Sequence, residues 1–356
     1  MTTQAVVNLR QRSGKCNADT ITMAHGSGGK AMRDLIDDVF VRAFDNVELN
    51  KLEDQARFDL NTLTALGDRL AMTTDSYVVD PLFFPGGDIG KLAVTGTVND
   101  LAVGGAKPLY LTCAMIIEEG MAVADLRTIA ASMRQTADLA GVKIVTGDTK
   151  VVPRGAADKL FINTAGVGVI PAGINISADR ARAGDVVVIN GYIGDHGAAI
   201  VDARGDMALQ NTIETDCQPL NSLITAMLAV CPDIHCMRDA TRGGIATVLN
   251  EFAQSSHVGI RLKETAIPIR DEVRGMCEIL GLDPLYLANE GKIVAVIPAH
   301  AADQVIELMR AHPDGRHSAI IAEVVEKPES RVILSTLFGG ERIVDMLVGE
   351  QLPRIC

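Results

Sequence analysis

The 356-residue chain is 47% apolar and 22% charged, with 33 glycines in no strict period, which is the profile of a globular α/β protein long enough for two domains. A net charge of −12 argues against binding to nucleic acid or anionic membranes through basic patches. No apolar run reaches the roughly 18–20 residues of a membrane helix, and the start of the chain lacks the hydrophobic segment of a secretion signal, so a cytoplasmic protein is expected.

In chain order, residues 1–20 are polar and aperiodic and read as an N-terminal extension. His25-Gly26-Ser27-Gly28-Gly29-Lys30 reads as a phosphate-binding loop at a helix start or, equally, as a flexible hinge; its spacing is not that of a P-loop. A strand is expected over 70–76, then a Pro/Gly-punctuated loop, and a helix over 89–106 whose small residues permit close packing. A strand over 109–119, an amphipathic helix over 125–141 ended by Gly141, and a strand over 142–148 complete this series. The Pro/Gly/Asn/Asp-rich stretch 171–185 reads as a break. Beyond it, strands are expected at 185–191, 292–298 and 318–326, helices at 196–204, 243–256 and 300–313, and a hairpin at 331–346. The expected units are therefore 1–20, 21–174, 175–346 and a mobile tail, 347–356.

The seven cysteines are scattered and odd in number. Most read as small buried hydrophobes in a reducing compartment. Cys231 to Cys236 with His235 lacks the second ligand pair of a zinc site. Cys356 differs, because it is the last residue of the chain and stands at the end of the tail.

Five short signatures set a carboxylate beside small or hydroxyl residues: Glu53-Asp54-Gln55, Thr74-Asp75-Ser76, Asn99-Asp100, Gly147-Asp148-Thr149 and Asp239-Ala240-Thr241-Arg242. Singly, each aspartate reads as a turn or cap. Gathered in one cleft they would repel each other unless a hard cation neutralised them, and Mg²⁺ brings nucleotide phosphates with it.

The order of HGSGGK, EDQAR, TTDSYVVDPLFFPGGDIGKLAVTGTVNDLAVGGA, TGDTKV, INGYIGDHG, RDATRGG, ANEGK and a terminal PRIC resembles the HypE family of hydrogenase-maturation proteins over residues 21–356. That family is similar in fold to aminoimidazole ribonucleotide synthetase, selenophosphate synthetase and thiamine-phosphate kinase. The chain departs from it in its N-terminal extension and in Glu53-Asp54, where relatives often carry an Asp-Asp pair.

The resemblance implies a two-domain, aminoimidazole ribonucleotide synthetase-like (PurM-like) α/β fold with a flexible C-terminal tail, paired as a homodimer. It implies that a carbamoyltransferase, HypF, places a carbamoyl group on Cys356. The chain would then use ATP and Mg²⁺ to dehydrate this carboxamide to a thiocyanate, and a HypC–HypD iron scaffold would accept the cyanide. The implied roles are nucleotide contact for Asp54, Asp75, Asn99, Asp100, Gly147, Asp148, Thr149 and Asp239, with Asp54, Asp75, Asp100 and Asp239 on the cation. Lys150 and Glu290 are the candidates for proton transfer, with His25 the next. Ten extended residues reach roughly 33–36 Å, enough to carry a thiol between sites. Two other readings fit the aspartates: a small-molecule kinase or synthetase of the same superfamily, which leaves Cys356 without a role, and a non-catalytic carrier or scaffold.

Overall fold

The computed structural model describes residues 14–205, 213–349, 352 and 354–356. Among these residues no helix is long and apolar enough to cross a membrane. Two sheets divide the chain. The first comprises β1 (Arg69–Tyr77), β4 (Lys107–Glu118), β5 (Lys143–Val152) and β6 (Leu160–Ile170) in the order β1-β6-β4-β5. β2 (Phe83–Phe84) and β3 (Gly87–Asp88) form a small separate ladder. Within the first sheet only β4 and β5 run parallel. The helix Val123–Ala140 supplies the crossover a parallel pair needs and ends at Gly141, whose φ of 71° only glycine adopts at no cost.

The helix Ile89–Val103 lies on one face of this sheet and begins where the Asp88 carboxylate accepts the N–H groups of Gly90 and Lys91. Its glycines let it approach its neighbours. A Cβ on Gly90 would stand 2.6 Å from the Ile129 carbonyl oxygen, and one on Gly96 2.3 Å from the Tyr77 hydroxyl. The other face of the sheet leaves Leu70, Met72 and Ile116 exposed.

The second sheet holds β7 (Val186–Ile189), β8 (Cys236–Asp239), β9 (Gly259–Lys263), β10 (Ile293–Ile297), β11 (Ala319–Val325), β12 (Arg331–Ser335) and β13 (Glu341–Val344), in the order β13-β12-β9-β11-β7-β10-β8. Every residue of β10 is buried, as expected of a strand covered on both faces. The helix Gly244–Ser256 packs on one face, and the helices Asn221–Val230 and Ala302–Ala311 on the other.

The strands and helices expected at 70–76, 89–106, 109–119, 125–141, 292–298 and 331–346 form at those places. β6, β8 and β9 were not anticipated. β6 carries Gly166 and Gly168, and the other two are only four and five residues long. Residues 1–13 of the expected N-terminal extension lie outside the described residues. The rest of it is tied down: the Cys16 N–H and Arg127 both donate to the buried Asp38 carboxylate, at 3.0 and 2.6 Å, and Thr20 bridges Ala122.

Candidate active site

The residues singled out from the sequence fall in two places within one chain. The first is a cavity of about 440 Å³ whose lining includes Gly28, Gly29, Asp54, Gly147, Asp148 and Thr149. Gly28, at φ 78°, turns the chain into the helix Lys30–Leu35. Gly147 must be glycine, since a Cβ would meet the Cys113 carbonyl oxygen at 2.3 Å. Asp148 is exposed and pairs with Lys150 at 3.2 Å. His25 is turned inward instead: its Nδ1 accepts the Thr22 N–H at 3.0 Å, and its Nε2 lies 3.8 Å from the Cys16 sulfur. It braces the glycine loop and does not line the cavity.

The second place lies between the two sheets, where β1 brings Asp75, the helix Ile89–Val103 brings Asp100, and β8 brings Asp239. The Thr73 hydroxyl donates to Asp100 at 2.9 Å. Burial, then the charge of Asp75, raises Asp100 to about 6. Burial, then Asp100 and Asp75, raises Asp239 to about 7. Three carboxylates that face one another in a largely buried place suit a hard cation, and their donors are all oxygen. Among the described residues no three Asp, Glu, His or Cys side chains stand close enough to hold a metal unaided. A cation here would therefore keep water or phosphate oxygens in its shell, as Mg²⁺ commonly does.

Asp54 is not in this group. Asp75 pairs in register with Thr164, Thr164 with Cys113, and Cys113 with Gly147, so Asp75 and Gly147 share one row of the sheet three strands apart. At the usual strand spacing that is about 14 Å. One chain thus separates Asp54, Gly147, Asp148, Thr149 and Lys150 from the Asp75, Asp100 and Asp239 cluster.

Glu290 completes the second place. It is 3% exposed, and its Oε1 has no hydrogen-bond partner among the described residues. Burial, followed by the charges of Asp239, Asp216 and Asp75, pushes its carboxyl well above the usual range, with Arg242 opposing. Its backbone is pinned from both sides. Its N–H donates to Asp216 Oδ1 at 3.0 Å, and its carbonyl accepts from Asn99 at 3.4 Å. Asn99 also accepts the Leu220 N–H and donates to the Gln218 carbonyl, so its amide is spent on joining the domains rather than held toward a nucleotide.

The terminal cysteine sits against this cluster. Three successive tail carbonyls are held: Arg354 O accepts from Asp80 N and Arg204 Nη2, Ile355 O from His196, and Cys356 O from Val78 N. The Ile355 side chain is 5% exposed within the core that includes Ile200, Cys217 and Ala288. Burial, then Glu290, drives the Cys356 thiol well above its ordinary range, with Arg242 opposing. In this position it is a half-buried thiol whose raised proton affinity keeps it neutral and a poor nucleophile.

Sequence reasoning missed Asp216, His196 and Arg204. Asp216 is buried, and against that burial its ion pair with Lys292 at 2.8 Å keeps it below the usual carboxylate range. No local pattern marks these residues. His196 lay in view, in Asp195-His196-Gly197, but only the folded tail gives it a partner.

The family model of the AIR synthase related protein N-terminal domain matches residues 53–170, and that of the C-terminal domain matches residues 182–335. Carbamoyl dehydratase HypE of Rhodobacter capsulatus is 56% identical over 338 residues, covering 95% of this chain and 98% of that protein. The crystal structure of hydrogenase maturation protein HypE in complex with ATP is 48% identical, with a TM-score of 0.90 over 95% of this chain and all of the other. The structure of a HypE–HypF complex is 47% identical, with a TM-score of 0.77 over 88% of this chain and 99% of the other.

Proposed function

The chain belongs to the HypE family of carbamoyl dehydratases, and from that membership we propose that it dehydrates a carboxamide carried on its own Cys356 to a thiocyanate. The balanced reaction is Cys–S–C(=O)–NH₂ + ATP → Cys–S–C≡N + ADP + phosphate. The amide oxygen takes the γ-phosphoryl group as one N–H proton is lost. The resulting imidate expels phosphate as the second is lost. Phosphorylation is needed because oxide and hydroxide leave an amide carbon very poorly, whereas phosphate leaves readily.

The observation that carries this reading is the buried, unpartnered Oε1 of Glu290, the charge acting most strongly on the Cys356 thiol. A carboxamide on that sulfur would bring N–H donors to an acceptor that lacks one, and an unsatisfied buried acceptor costs about 1–3 kcal/mol until it is paired. Glu290 would then receive a proton from the amide nitrogen. Asp75, Asp100 and Asp239 are the residues that would hold Mg²⁺, whose role is to spread the charge of the transferring phosphoryl group.

The chain acts as a homodimer in this reading. Leu70, Met72 and Ile116 form an exposed apolar face on the first sheet, suited to a second copy. The pairing would bring Asp54, Gly147, Asp148, Thr149 and Lys150 of one copy to the Asp75 edge of the other, joining the nucleotide contacts and Lys150 with Glu290. Because the seated thiol is protonated and half-buried against the carboxylate cluster, carbamoylation by a HypF partner requires the tail to leave, as does transfer to a HypC–HypD scaffold. The setting is the cytoplasm, where ATP and reduced cysteines coexist.

The test is mass spectrometry of the C-terminal peptide after incubation with the carbamoyl-donor system, before and after ATP. The expected sequence is gain of a carbamoyl group and then loss of one water. Cys356→Ser should show neither. A carbamoyl group that persists through ATP turnover would sink the reading.

A further inference from the structure

We propose that His196 is the latch of the tail: by donating Nε2–H to the Ile355 carbonyl at 2.7 Å, one residue before the thiol, it seats Cys356 for reaction and sets how often the thiol is released. The proposal rests on reading Cys356 as the carrier thiol.

His196 makes no ion pair among the described residues, and its ring is fixed on several sides. Nδ1 lies 2.8 Å from the Thr215 hydroxyl, and Phe84 meets the ring edge-on at a centroid distance of 5.6 Å. The Ile355 carbonyl can only accept, so Nε2 carries the proton and Nδ1 accepts from Thr215. The Thr215 oxygen in turn accepts the Cys217 N–H at 3.1 Å, which leaves its own proton for the imidazole. Burial also favours the neutral ring. A residue of the second domain, oriented by Thr215 of that domain and by Phe84 of the first, thus spends its single donor on the tail.

The other tail contacts divide the labour. Val78 N and Asp80 N lie in the segment after β1 and read the Cys356 and Arg354 carbonyls in the two-residue rhythm of a strand pair. Arg204, on the same helix as His196 (Asp195–Arg204), donates to both the Asp80 and the Arg354 carbonyls. The middle carbonyl, that of Ile355, falls between those backbone contacts and points to the helix, where His196 takes it. All these contacts read main-chain atoms, so they grip the bare, carbamoylated and cyanated forms of the tail alike. A latch of this kind must be weak enough to open after each turnover. One hydrogen bond with a buried acceptor behind it suits that requirement, whereas an ion pair of comparable burial would hold more firmly.

The experiment uses the full chain and two readouts. The first is the rate at which iodoacetamide alkylates Cys356 in the resting protein, followed on the C-terminal peptide. The second is the single-turnover rate of dehydration after carbamoylation. His196→Ala should raise the alkylation rate about ten-fold, slow dehydration, and leave carbamoylation as fast as in the parent or faster. His196→Gln, whose amide N–H reaches nearly to the Nε2 position, should restore most of the protection. Thr215→Val should fall between them, because it frees the ring without removing the donor. Should His196→Ala misfold, His196→Gln and Thr215→Val still order the alkylation rates. Alkylation at the parental rate in all variants that fold would overturn the latch. A parent chain never carbamoylated on Cys356 would instead overturn the carrier reading and leave the alkylation result standing.

Discussion

Glu290 shows how burial assigns a role that residue type alone does not. An exposed glutamate is a weak base, whereas burial and three neighbouring carboxylates raise the proton affinity of this one well above the ordinary value. Glu290→Gln preserves the size and shape of the side chain and removes its ability to take a proton. Nucleotide affinity should stay within about three-fold, while dehydration slows by about a hundred-fold or more. A normal rate of thiocyanate formation, read on the C-terminal peptide, would transfer the proton work to Lys150. The aspartates make a second prediction at this scale. Asp100 at about 6 and Asp239 at about 7 both lie above an ordinary aspartate. The folded state therefore binds more protons than the unfolded chain between about pH 4 and pH 7, and stability falls as pH rises through that window. A cation among these carboxylates offsets the loss only where they are ionised. The rise in Tm on adding Mg²⁺ should be larger at pH 8 than at pH 5. Equal shifts at both pH values would place the cation elsewhere.

The helix Ile89–Val103 joins the two halves of the molecule. It carries Asp100 toward the cluster and Asn99 into the second domain, and it packs so closely that Gly90 leaves no room for a side chain against the Ile129 carbonyl. Gly90→Ala would gain about 0.5–1 kcal/mol from helix propensity. It would lose more to the collision with fixed backbone, for a net destabilisation of about 1–3 kcal/mol in urea unfolding. An unchanged or raised midpoint would show that the helix can shift, and with it Asp100. The terminal segment behaves as an element too. Its last three carbonyls are bonded and Ile355 is buried, so in this structure the end of the chain is part of the core rather than an ornament on it.

At the scale of the whole molecule, a row of sheet about 14 Å wide divides the candidate residues. One copy therefore holds two groups of candidate residues, beside the opposite edge strands β1 and β5 of the first sheet. If two copies complete each site, Asp239→Asn and Lys150→Ala lie in different half-sites. A mixed dimer then carries one site with both changes and one with neither. Co-refolding the two inactive variants at equal amounts should recover about a quarter of the parental activity, since half the dimers are mixed and each has one intact site. No recovery, with dimers confirmed by light scattering, would put both residues in a site within one copy.

Much of this protein is legible in its sequence because the signals are local. The period of 125–141, the glycine that ends it and the apolar run at 292–298 announce their elements by short-range rules. The order of the aspartate motifs and the terminal Pro-Arg-Ile-Cys announce the family. What only the tertiary structure decided is which of these residues meet. The strand order β1-β6-β4-β5 sets Asp75 far from Asp148 in one chain, although both stand in similar motifs. β8, four residues long and too brief to stand out, delivers Asp239 to Asp100. Asp216 and His196 acquire their roles from Lys292 and Ile355, 76 and 159 residues away. Proton affinity and hydrogen bonding depend on distance and burial in space, and neither is a property of neighbouring letters in a chain.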